Sequence, residues 1–123
     1  MTQASKKVEW CLNKVDKDLK ETGKHRGLVM VKADLSKAKD FVSKAEHYLK
    51  ATEYLKRGDF SDISASTVFY SMYHCLLAIA EKFGYESRNQ DCTFALIYSL
   101  IEDGKIDFAA SLLNKIASLD VKQ

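Results

Sequence analysis

The sequence predicts an all-α fold, an up-and-down bundle of four to five helices built round a long antiparallel hairpin. Three observations predict it. Proline is absent and only five glycines interrupt 123 residues, whereas sandwiches and barrels need many turn formers. Apolar residues recur at helical spacing through most of the chain. The stretch from Ser61 to Gly84 is apolar nearly all round, the mark of a helix in the middle of a bundle. At this length the chain is expected to be one domain, residues 1–123, with roughly two thirds of its unfolded surface available for burial.

A first helix is expected over residues 5–20, with Val8, Cys11 or Leu12, Val15 and Leu19 as its apolar stripe and Trp10 beside it. Gly23 and Gly27 then bracket a small basic cluster, Lys24, His25 and Arg26, which reads as a solvated connector ahead of a phosphate contact. Leu28 to Val31 is a short apolar patch able to dock that connector. Asp34 to Arg57 is a long amphipathic helix. Its expected inner face is Leu35, Ala38, Phe41, Val42, Ala45, Tyr48, Leu49, Thr52 and Leu55. On its outer face Asp40 with Lys44, Glu46 with Lys50, and Glu53 with Arg57 are acid-before-base pairs four residues apart.

The tight Gly58-Asp59-Phe60 link makes the second and third helices antiparallel. Ser61 or Asp62 is expected to cap the third, and Gly84 to end it. YESRNQD reads as a polar loop, and Ser87 or Asn89 caps a fourth helix ending at Gly104. A fifth begins near Asp107 and carries Phe108, Leu112, Leu113, Ile116 and Leu119.

Charge and cysteine usage narrow the function classes. A net charge of +2, from 19 basic and 17 acidic residues, is too balanced to argue for nucleic acid by itself, although a local basic face remains open. Cys11, Cys75 and Cys92 are odd in number and form no CxxC pair. That pattern points to free thiols in a reducing compartment. With no apolar segment opening the chain, a cytoplasmic location is expected. The longest unbroken apolar run, Cys75 to Ala80, is far short of the ~20 residues of a bilayer span, so no membrane partner is expected.

GxGxxG, P-loop, HExxH and GxSxG motifs are all missing. His25, His47 and His74 fall in three different elements without a carboxylate or thiol at ligand spacing. Neither a metal nor another cofactor is expected. What remains is a polar line on the apolar helix: Ser64, Thr67, Ser71 and His74 follow each other at spacings of three, four and three, so they share a face. Packing explains such a line better than a site does, since small polar residues let another helix approach closely, and a dimer contact fits the same residues.

The residues TVFYSMYHCLLAIAEKFGYESRNQ, with the charged helix before them and the helix after, resemble the HEPN domain family over roughly residues 34–105. Members of that family are small helical proteins of archaea and bacteria. Many are metal-independent ribonucleases that act as dimers through an Arg-x4–6-His motif, and many are paired with a minimal nucleotidyltransferase in toxin–antitoxin systems. His74 matches the motif's histidine, while Thr67 stands where the motif has arginine.

The chemistry is intelligible. Imidazole moves the proton of the attacking hydroxyl, and guanidinium clamps the phosphate as its charge grows. With Thr67 in place, the resemblance implies a non-catalytic homodimer that binds a nucleotide, RNA or a partner nucleotidyltransferase, with Thr67, Tyr70, Ser71, His74, Arg88 and Asn89 as binding residues. A divergent ribonuclease using His74 with Arg88 and Tyr70 is the alternative, and an inert helical interaction domain a third. The family's domains usually continue past the position of Gln123, so a further tail or helix is expected there.

Overall fold

The computed structural model describes residues 2–121 and is an all-α bundle of five helices with one small two-stranded ribbon. The chain end at Lys122 and Gln123, where the tail question arises, lies outside the described residues. The elements run α1 (Gln3–Thr22), β1 (Leu28–Met30), α2 (Leu35–Arg57), α3 (Ser61–Lys82), β2 (Tyr85–Ser87), α4 (Gln90–Glu102) and α5 (Ala110–Val121).

α3 is the centre, as its composition predicts. By length and composition it could cross a bilayer, yet it lies within the bundle, with Phe69, Leu76 and Ala80 fully enclosed. These pack with Leu96, Ile97 and Leu100 of α4, Leu113 and Ile116 of α5, Leu28 of β1 and Cys11 of α1. Burying each large apolar side chain stabilises the fold by about 1.5–3 kcal/mol. α2 packs along α3 as the second arm of the hairpin.

Several expectations are corrected in detail. α3 is not capped by Ser61 or Asp62. Its N-cap is Phe60, whose carbonyl accepts from the backbone N–H groups of Ile63 and Ser64. Asp62 instead lies in the first turn, where a carboxylate favours the positive end of the helix dipole. α5 begins at Ala110, three residues after Asp107. Along α2 only Ala38, Ala45 and Thr52 are buried. Leu35, Val42 and Leu49, seven residues apart, stay exposed on one flank. The i,i+4 charge pairs of α2 do not close either: every ion pair among the described residues lies elsewhere.

The polar stretch after α3 is partly a strand. Tyr85–Ser87 pairs antiparallel with Leu28–Met30, with Glu86 opposite Val29. Gly84 makes the turn, at φ +84°, a conformation that L side chains avoid. A Cβ at Gly84 would come within 2.9 Å of the Val31 carbonyl, and the Gly84 carbonyl itself accepts from Val31 N–H at 2.8 Å.

The cysteines are not three free thiols. Cys11 of α1 and Cys92 of α4 form a disulfide across 81 residues, and Cys75 alone is free.

Candidate functional site

The two free flanks of the α2–α3 hairpin differ in chemistry. One is apolar, a shallow groove of about 330 Å³ between Leu35 and Val42 of α2 and Cys75, Ala78 and Ile79 of α3. The other carries Lys37, His74 and Glu81, and helix geometry puts them there. Tyr70, His74, Leu77 and Glu81 are spaced four, three and four along α3, and Lys37, Phe41 and Tyr48 fall on one side of α2. The two rows share one flank of the hairpin, and a pocket opens between them at the Lys37–Glu81 end.

Away from that pocket the flank is aromatic. The His74 ring stacks on Tyr48 with centroids 5.2 Å apart and planes 27° from parallel. Tyr70 lies 5.7 Å from Tyr48, and Phe41 lies 6.1 Å from His74. His74 Nδ1 is 2.7 Å from the Tyr70 carbonyl. A carbonyl only accepts, so Nδ1 carries a proton and Nε2 is the ring nitrogen not held by that contact. Tyr70 is 37% exposed, which leaves part of its ring open to a ligand.

The polar line expected on α3 divides here. Thr67 shares a 2.6 Å hydrogen bond with Thr52 and donates to the Ser64 carbonyl at 2.9 Å. Ser71 donates to the Ala45 carbonyl on α2 at 2.8 Å. Both hydroxyls are thus engaged in the hairpin seam. His74, three residues past Ser71 and so about 60° round the helix, turns out of the seam onto the aromatic flank.

At the other end the groove is ionic and is closed by β2. Glu86 Oε1 lies 3.0 Å from the Arg88 guanidinium and 3.3 Å from His25 Nε2, and its other oxygen lies 3.9 Å from Lys37 Nζ. His25 is buried rather than solvated. Its Nδ1 accepts from Gly27 N–H, so Nε2 carries the proton that faces Glu86. Lys37 also pairs with Glu81 at 3.6 Å. Phe41 and Leu77 line the same pocket of about 250 Å³ and join it to the aromatic end.

Arg88 therefore engages Glu86, and no contact among the described residues joins it to His74. Asn89 stands at the start of α4. Its side chain caps α4 by accepting from Cys92 N–H, and its carbonyl accepts from the hydroxyls of Ser87 and Thr93. Thr93 in turn meets Ser87 and the buried Tyr73 hydroxyl, which fixes the β2–α4 junction against α3.

The two carboxylates of the pocket are shifted in opposite directions. Burial pushes Glu81 up, with Glu86 and Asp34 adding to the effect and Lys37 opposing it. Burial would raise Glu86 as well, but Lys37, the His25 hydrogen bond and Arg88 outweigh it and hold that carboxyl down. Glu81 thus favours the fold below the unfolded carboxyl range, and that contribution is lost as pH rises through its folded value. Glu86 acts in reverse, losing its contribution as pH falls through its depressed folded value. Glu81→Gln should remove the first dependence. From about pH 4 to pH 7 the wild type should lose stability relative to the variant, by about 1.4 kcal/mol per unit of difference between the folded and unfolded values. Thermal midpoints of both proteins across that range check it, and parallel curves would refute it.

Lys37, Glu81 and Glu86 carry no signal in the sequence as a group, and His25 reads there only as part of a basic connector, because the four come from four separate elements. The one available signal was the four-three-four spacing that places Glu81 in line with His74. Among the described residues no group of histidine, cysteine or carboxylate side chains is arranged to hold a metal ion. Compared with protein-family models, with curated proteins and with solved structures, the chain matches none.

Proposed function

We propose that this chain is an HEPN-like, non-catalytic module that binds single-stranded RNA or a nucleotide in the α2–α3 groove. The observation that carries the reading is the aromatic end, His74 stacked on Tyr48 with the part-open ring of Tyr70 beside it. Bases stack on such platforms without regard to sequence. Lys37 and Arg88, both near half exposure, supply cations at the other end of the same groove. His74 and Glu81 are seven residues apart, about 10 Å along the helix axis. A base and a phosphate of one short strand can therefore engage both ends together.

The ribonuclease alternative has one observation in its favour: His74 Nε2 is not held by the Tyr70 carbonyl, which engages Nδ1 alone. What it lacks is a cation beside that nitrogen. Thr67 is held in the seam, and Arg88 is paired with Glu86. Losing one preorganised charge-stabilising group costs about 10²–10³ in rate.

The apolar flank of Leu35, Val42 and Leu49 suits a second copy, which makes the homodimer part of the proposal, and a minimal nucleotidyltransferase is the further partner the resemblance implies. The test is a fluorescence anisotropy titration of a labelled single-stranded oligoribonucleotide in EDTA, with light scattering on the same sample. The strand should bind and remain full length, on a particle of twice the chain mass. Tyr70→Ala and His74→Ala should each weaken binding roughly tenfold, since stacking is worth about 1–3 kcal/mol per base. Absence of binding, or cleavage abolished by His74→Ala, would overturn the reading.

A further inference from the structure

We infer that the ionic pocket between the start of α2, the end of α3 and β2 is a subsite for a terminal phosphate of the bound strand, with Glu86 occupying it when no ligand is present. The inference rests on the RNA-binding reading of the groove and names what its far end takes.

Three donors from three elements converge on the one carboxylate: His25 Nε2–H, the Arg88 guanidinium and the Lys37 ammonium. That is how an anion site is built, from charge-assisted hydrogen bonds directed at a common point. Here the anion is the chain's own. All four ion pairs among the described residues involve Lys37 or Glu86, while the other charged residues of a highly charged surface make none. Arg88 and Lys37 are the exposed members, at 52% and 46%, so they can turn from Glu86 to a ligand without disturbing the fold. His25 is fixed by Gly27 and stays with the wall.

A terminal phosphate fits better than an internal diester for two reasons. It carries about −1.5 to −2 charge at neutral pH and three acceptor oxygens, against the single charge of Glu86 or of a diester. The pocket also lies at the end of the two rows, with Glu86, Ser87 and Arg88 of the β2 segment as one of its walls. The wall is held in place by Arg88 N–H donating to the Gly27 carbonyl at 2.8 Å and by Ser87 bonding Thr93. Phe41 and Leu77 lead from the pocket back to His74, which places the first base of the strand on the aromatic end.

The competition has a definite consequence. Replacing Glu86 with glutamine keeps its shape and its hydrogen bonding to His25 but removes the charge that competes with phosphate.

The experiment measures the affinity of one internally labelled oligouridylate in three forms, with a 5′-phosphate, with a 3′-phosphate, and with hydroxyls at both ends. The readout is the ratio of phosphorylated to hydroxyl-ended affinity. One phosphorylated form should bind about tenfold tighter, the scale of a single charge-assisted contact, and the other arm identifies the strand polarity. Glu86→Gln should raise that ratio several-fold, and Arg88→Ala and Lys37→Ala should each lower it toward one. Circular dichroism of each variant establishes that it is folded. A wild-type ratio of one with binding intact, or a ratio unmoved by Glu86→Gln, would overturn the inference while leaving the groove. Failure of every strand to bind would overturn the parent reading, and this one with it.

Discussion

Replacing Cys11 and Cys92 together with alanine is expected to destabilise the protein by about 4 kcal/mol, the cost of freeing a loop of this length in the unfolded chain. The bridge spans 81 residues, so the unfolded ensemble gains much freedom when it opens. It joins α1 to α4, and α1 otherwise packs mainly on α4 and β1. Both cysteines are almost wholly buried, and the substitution also removes packed sulfur atoms. Urea denaturation of wild type and variant under non-oxidising and non-reducing conditions checks the magnitude. Thiol titration checks the state directly. The denatured, unreduced chain should show one thiol, that of Cys75, and three after reduction. Three thiols before reduction would refute the pairing.

Phe69→Ala should cost about 3–5 kcal/mol, the range for deleting a buried aromatic ring. Phe69 has no exposed surface. It lies parallel to Tyr73, with planes 12° apart at 5.8 Å, and meets Tyr70 edge-on at 5.4 Å. Tyr73 in turn bonds Thr93. One ring therefore supports both the groove's open tyrosine and the junction that carries β2. Phe69→Leu refills much of the space and should cost clearly less. Denaturant midpoints for the two variants check this, and an alanine penalty below about 1 kcal/mol would show that the site collapses round the cavity.

The helices were legible because each carries its own periodicity. Gly23 and Gly84 mark true ends at positive φ, and Asn89 is the cap that its residue type predicts. The ribbon was not legible. Its strands are three residues long, too short for an alternating pattern, and they pair residues far apart in the chain. The disulfide was hidden for the same reason, since no spacing announces a contact between α1 and α4. The polar line on α3 was half informative. Its spacing located His74, but 3.6 residues per turn carry His74 out of the seam that holds Thr67 and Ser71. Glu86 and its three partners could not be read in advance, because the bundle alone brings them together.

The position of bound RNA is decisive. Site-resolved amide shifts on adding a short single-stranded oligoribonucleotide in EDTA locate it directly. The account predicts the largest changes at Tyr48, Tyr70 and His74, continuing to Lys37 and Arg88, with the strand intact afterwards. Changes confined to the flank of Leu35, Val42 and Leu49, or a titration that moves no resonance, would contradict it.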